Sequence, residues 1–218
     1  CGPTAAVNSF VYLETAYRSI YDNSLTPRQG TNYHDPPGVD DYDDMIAAAV
    51  TLGGSNYMRT QQYHTTWHDL FIWGKRRYIE LKVPGKTVYQ AQDHWTWSDP
   101  ALPRPSWVSP MRPTWNFIYT ELAACEDVEV LLSGVTDLSL GHYVTLTRFR
   151  WDDYSMAGSM HYIDPATGTE RSCFIWREDG QIRTDYWGYG GNVSWISMAV
   201  SESPIPEPST LLLLIGPG

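Results

Sequence analysis

Three side chains that together perform nucleophilic chemistry occur in short, well-punctuated contexts: Cys1 in CGPTAAVNSF, His142 in GHYVTLT and Asp164 in HYIDPATG. Cys1 precedes a helical pattern, and a thiol at a helix start feels the positive end of the dipole, which favours thiolate. Gly2 offers room for close approach of a substrate backbone. His142 follows Gly141 at the head of a predicted strand, where its imidazole can take the thiol proton and return it to a leaving amine. Asp164 closes another predicted strand before Pro165, which cannot continue a ladder. If the two strands pair antiparallel, the carboxylate comes near His142 and can orient the ring through its second nitrogen. The catalytic candidates are therefore Cys1, His142 and Asp164, in that order along the chain.

The elements that must hold them read as helices first and strands later. Ala6, Phe10, Leu13 and Tyr17 repeat at helical spacing, and Pro3 suits a first helical turn, where its missing N–H costs nothing. Residues 22–38 carry Pro27, Gly30, Pro36, Pro37 and Gly38 and read as loop. A second helix is predicted from Asp40 to Leu52, ended by Gly53-Gly54. MRTQQYHTTWHDLFIW suggests a further helix, and the alternation in YIELKV predicts a strand ending at Pro84-Gly85. Trp95 to Pro113 reads as an ordered Trp- and Pro-rich surface loop, NFIYTELAAC as a helix and VEVLLSG as a buried strand. From Gly141, HYVTLTRFRW, SMHYID, ERSCFIW, QIRTDYW and VSWISMAV are strands separated by turn signals, as in an antiparallel meander. This order predicts an α+β fold. SESPIPEPST reads as a linker, which places one domain over residues 1–200 and a tail over 201–218.

Composition narrows the function classes. The 218 residues are 42% hydrophobic and 18% charged, which suits a single folded core and not a disordered polyelectrolyte. The net charge of −10, with only three lysines, argues against a nucleic-acid partner and against electrostatic docking on anionic lipid. Three cysteines are too few for a disulfide scaffold, and spacing leaves a Cys125–Cys173 bridge open. No stretch reaches the ~20 apolar residues of a spanning helix. The chain starts at Cys1 rather than Met, as a processed or partial chain would.

CGPTAAVNSF resembles the nucleophile helix of papain-like cysteine peptidases, especially the bacterial group related to bacteriocin-leader-processing (double-glycine) peptidases. GHYVTLT resembles that group's histidine strand, and HYIDPATG its Asp-Pro strand. The resemblance implies a papain-like fold, with a helical half packed on an antiparallel β-sheet half and the cleft between. It makes Cys1 the nucleophile, His142 the base and Asp164 the orienter, with a peptide or protein substrate and no cofactor or metal. Such peptidases place an oxyanion-binding Gln several residues upstream of the Cys, so the resemblance also implies residues preceding Cys1. The Trp- and Pro-rich stretch looks like an insertion relative to compact members. SPIPEPSTLLLLIGPG, with Pro206, Glu207 and Pro208, resembles the start of a PEP-CTERM sorting signal. That implies an exosortase-type partner, export, and attachment to the surface or matrix of a Gram-negative-type bacterium.

Other signals are weaker. His64 and His68 would share one face of a helix, as metal ligands can, but no Glu follows the first His and no further ligands are evident. The acids of DPPGVDDYDDM read as helix N-terminal charges rather than a calcium loop. Asn192-Val193-Ser194 matches a short glycosylation pattern, and Gly188, Gly190 and Gly191 form a turn. The leading expectation is an exported thiol peptidase or amide hydrolase. The alternatives are a non-catalytic papain-like surface domain binding peptide or glycan, a lipid-anchored Cys1, and an N-terminal-nucleophile hydrolase. Substrate is not legible in the sequence.

Overall fold

The computed structural model describes residues 1–26, 42–97, 99–134, 141–186 and 194–205. The helices are α1 (Gly2–Ala16), α2 (Arg18–Tyr21), α3 (Tyr42–Gly53), α4 (Thr60–Tyr63), α5 (His68–Lys82) and α6 (Trp115–Ala123). The strands are β1 (Thr87–Asp93), β2 (Val108–Ser109), β3 (Asp127–Gly134), β4 (Gly141–Asp152), β5 (Ala157–Asp164), β6 (Thr169–Glu178), β7 (Gln181–Thr184) and β8 (Ser194–Pro204).

The strands read from GHYVTLTRFRW onward form successive antiparallel hairpins, β4 to β5 to β6 to β7. They do not stop as an open sheet. Ser194 and Trp195 at the head of β8 pair with Thr184 and Arg183 of β7, and the same strand pairs with β3 along its length. Strands β8-β3-β4-β5-β6-β7 thereby close into a six-stranded antiparallel barrel, with β1 paired to β8 outside it and β2 paired in turn, in parallel, to β1. This corrects the expected papain-like fold, in which a helical half packs on an antiparallel β-sheet half: the sheet here is closed into a barrel. A meander has the same sequence pattern whether or not its last strand returns to an earlier one, so closure left no trace in the periodicity.

Two cores result, because successive strand residues face opposite sides. Val130 and Leu132 of β3, Val144 and Leu146 of β4, Met160 and Ile175 point into the barrel, and Ile118 of α6 joins them. Leu131, Tyr143, Met198 and Val200 point the other way, and α1, α3 and α5 cover them through Phe10, Leu13, Leu52, Phe71 and Ile79. Helix α6 starts at Thr114, whose hydroxyl accepts the Phe117 N–H at 3.2 Å as an N-cap.

Element assignments change between residues 58 and 93: the helix expected over MRTQQYHTTWHDLFIW breaks after Tyr63, where His64 takes a left-handed conformation, and resumes as α5 at His68. YIELKV is the last turn of α5 and its exit: Asp69, Leu70, Ile72, Lys75, Tyr78 and Ile79 are buried at helical spacing, whereas Leu81 is 63% exposed. The strand in this region is TVYQAQD, β1, which alternates buried and outward residues after the Gly85 turn. The domain boundary also moves. β8 continues to Pro204, so residues 201–204 belong to the domain and not to a linker. The Pro206–Pro208 motif with its leucines, the Asn192 pattern, Gly188, Gly190 and Gly191, and most of the 22–38 loop lie outside the described residues. All three cysteines are free thiols.

A buried charged cluster joins the layers. Lys75 of α5 is fully buried, and its Nζ donates to Asp127 Oδ2 at 3.3 Å, to Glu129 and to Glu202. Ser9 of α1 donates to the same Asp127 oxygen. The three carboxylates have metal-ligand proximity, but the lysine ammonium occupies their centre.

Candidate active site

Cys1 is the N-cap of α1, and its carbonyl accepts the Ala5 N–H at 2.9 Å. The helix start is pinned from below. A side chain on Gly2 would fall 2.6 Å from Thr66 Oγ1, so the glycine accommodates the 66 segment. This differs from the expected opening for substrate: the close approach at Gly2 is made by the protein itself. Thr145 of β4 donates to the Ala5 carbonyl at 2.9 Å, fixing α1 along the strand that carries the histidine.

The Cys1 thiol is exposed, with Sγ 3.9 Å from the carbonyl oxygen of Gly141, the residue preceding His142. His142 is buried, and its Nε2 lies 3.0 Å from Asp164 Oδ1. The β4–β5 pairing that brings them together is antiparallel, with a register shift between Leu146 and Arg148. Asp164 is held in turn. Its Oδ1 accepts the Ala166 N–H at 3.0 Å, its carbonyl accepts from Thr167 and Gly168, and Arg171 Nε lies 3.7 Å from Oδ2. The imidazole stacks on Tyr186 at 5.5 Å between centroids and 15° between planes.

Burial lowers the His142 pKa below the ordinary 6.5, and the hydrogen bond and charge of Asp164 pull the other way. The ring is thus neutral at neutral pH, with Nε2 engaged by Asp164 and Nδ1 without a hydrogen-bond partner among the described residues. A neutral imidazole with one nitrogen free is able to accept a proton. The structure therefore brings His142 and Asp164 into direct contact and sets Cys1 against the residue next to His142.

A cleft of about 830 Å³ opens at Cys1. One wall is α1, through Pro3, Thr4 and Val7; the second is α3, through Met45, Ile46 and Val50; the third is the Pro165–Gly168 turn after Asp164. Asn8 also lines it, and its Nδ2 is buried without a hydrogen-bond partner among the described residues. Neither the α3 wall nor the stacking role of Tyr186 was legible in the sequence. The α3 residues showed only as one helical stripe, and Tyr186 as one aromatic among many.

His64 and His68 do not share a helical face, since His64 follows α4 with φ of 55° and His68 opens α5. His68 instead pairs with buried Asp93, Nδ1 to Oδ2 at 2.7 Å, and Trp97 Nε1 donates to the same oxygen at 2.7 Å. No family model, curated protein or solved structure matches this chain.

Proposed function

We propose that the protein is a thiol hydrolase of peptide or amide bonds. The observation that carries this reading is the His142–Asp164 contact of 3.0 Å at the head of the strand against which the Cys1 sulfur rests. The Sγ–H proton passes to Nδ1 of His142, and the thiolate attacks the substrate carbonyl carbon. The imidazolium then protonates the departing amine nitrogen as the C–N bond breaks, leaving a thioester on Cys1. Water, deprotonated by the same nitrogen, attacks the thioester; carboxylic acid leaves and the thiol is restored. Asp164 keeps the ring in the tautomer with hydrogen on Nε2 and balances its transient positive charge. The likeness of the three motifs to cysteine peptidases supports the chemistry, although the barrel is not the papain-like fold.

The apolar cleft and the unpartnered Asn8 amide suit an extended peptide with an apolar side chain, the amide donating to a peptide carbonyl. Such a cleft would serve equally in a non-catalytic peptide-binding domain, which is the second reading. The Pro-Glu-Pro motif supports export and sorting as part of the same proposal.

A digest of a peptide library tests the choice. Cleavage by the wild type, lost in Cys1→Ala and His142→Ala to about the same extent because nucleophile and base act as a unit, is the expected result. Peptide capture without any Cys1-dependent cleavage would favour the binding domain.

A further inference from the structure

Across α4 from the Cys1 cleft lies a second cavity of about 310 Å³, formed by Arg59, Tyr63, Trp67, Asp69, Leu70 and Asp99. The short helix separates the two: Thr60 and Gln61 line the Cys1 cleft, whereas Arg59 and Tyr63 line this one. Nothing in the proposed hydrolysis uses it.

Its polar groups are unequally satisfied. Asp99 accepts from Arg59 NH1 on Oδ2 at 3.0 Å and from the Ala101 N–H on Oδ1 at 2.9 Å, so it is held on both oxygens. Asp69 is only 2% exposed, yet its sole hydrogen bond among the described residues is from the Leu70 N–H to Oδ1 at 2.8 Å. Oδ2 has no hydrogen-bond partner among the described residues and keeps contact with solvent at the cavity wall. A first-turn acid can favour a helix from the surface. A carboxylate oxygen that faces a cavity with no protein donor takes its hydrogen bond from water or from a ligand that donates in its place. Trp67 and Tyr63 flank the cavity and are 55% and 44% exposed, so both keep substantial surface outside the core.

We infer that this cavity is a binding site for a guanidinium or ammonium group, such as the end of a basic side chain on a peptide. A carboxylate only accepts, so the ligand must donate. The lining carries two carboxylates against one guanidinium, which disfavours an anion and leaves one negative charge for a ligand to balance. Aromatic faces attract cations through their quadrupole, and the attraction grows where water is displaced. A neutral sugar could donate hydroxyls and stack on Trp67, but it would cover the Asp69 charge without compensating it.

The test is a titration of the full chain with Nα-acetylarginine methylamide, followed by the Trp67 indole N–H resonance. Saturable binding is expected, with the neutral citrulline analogue at least about tenfold weaker, the discrimination of a charge-assisted hydrogen bond. Asp69→Asn, which keeps the Leu70 contact, should weaken arginine binding by about the same factor. Trp67→Ala, at an exposed residue that leaves folding undisturbed, should weaken it about two- to fivefold. Cys1→Ala should bind as the wild type does, which separates this site from the thiol chemistry. Equal affinity for arginine and citrulline, unchanged binding in both Asp69→Asn and Trp67→Ala, no saturation, or binding of monosaccharides in preference to arginine would each overturn the inference.

Discussion

The pairing of His142 with Asp164 has a consequence for pH. Burial holds the imidazole below its ordinary 6.5, so the rising limb of a rate–pH profile, which reports the base losing its proton, should have its midpoint below 6.5. Asp164 opposes the shift, so Asp164→Asn should move the midpoint further down as well as slow the reaction; a midpoint unmoved or raised would show that the carboxylate does not act on the ring. The three thiols should also differ. Cys173 is pushed up to about 12 by burial, with Thr184 donating to its sulfur at 3.0 Å, and should resist alkylation near neutral pH. Cys1 should label faster than exposed Cys125, and His142→Ala should remove that advantage, as mass mapping after brief iodoacetamide treatment would report. At this scale the sequence was informative. Cys1, His142 and Asp164 sit in short motifs whose neighbours, Pro3, Gly141 and Pro165, mark the element ends that hold them. Thr66, Tyr186 and Asp69 reach their places only through tertiary contacts, and no local pattern points to them.

Between elements, the Lys75 cluster does the joining, and it lies on α5, β3, β8 and, through Ser9, on α1. Three carboxylates surround one ammonium, and burial raises Glu129 well above the carboxylate range and Glu202 to about 7. An acid whose folded pKa is raised keeps a proton that the unfolded chain has already released. Its contribution to stability is complete below about 4.5 and is lost as pH rises through about 7. Glu126, raised to about 7 chiefly by burial, acts in the same direction. His142 acts oppositely, since its depressed value costs stability as pH falls below 6.5. Denaturation midpoints should therefore decline from pH 5 to pH 8, and Glu202→Gln should flatten that decline; a rise over this interval would contradict the assignment. Lys75→Ala, which strands the carboxylates, should cost about 3–5 kcal/mol at pH 7 by urea unfolding, and less at pH 5, where they take up protons. Such a cluster is hard to foresee from sequence. Lys75 lies within the GKRR run, where a lysine reads as a solvated charge, and its partners come from strands more than fifty residues away. The hairpins from β4 to β7 were legible because each turn carries Gly, Asp or Pro between alternating runs. Strand β1 was not, because its seven residues adjoin a helix end that also alternates.

Over the whole molecule, β8 joins the parts. Its first two residues close the barrel against β7, Ser194 to Glu202 pair with β3 on one side, and Met198 to Pro204 pair with β1 outside the barrel. The strand's two faces feed both cores, with Ile196 and Ala199 inward and Met198 and Val200 toward the helices. Composition suggested that the domain ends near residue 200, because Ser, Glu and Pro dominate residues 201–208. The polar residues at the start of that stretch are buried for specific reasons: Ser201 donates to Glu121 at 2.8 Å, and Glu202 meets Lys75. A chain cut after Val200 loses four β1 pairings, from Ser201↔Gln90 to Pro204↔Thr87, and leaves Lys75 and Glu121 short of partners. A chain cut after Ile205 keeps them all, including the Ile205 N–H bond to the Lys86 carbonyl at 2.8 Å. The shorter chain should melt far lower than the longer one, or fail to fold, because it combines lost strand pairing with a buried charge cluster thrown out of balance. Equal melting temperatures for the two would mean that residues 201–204 are the linker their composition suggests, and that β1 stays in place without them.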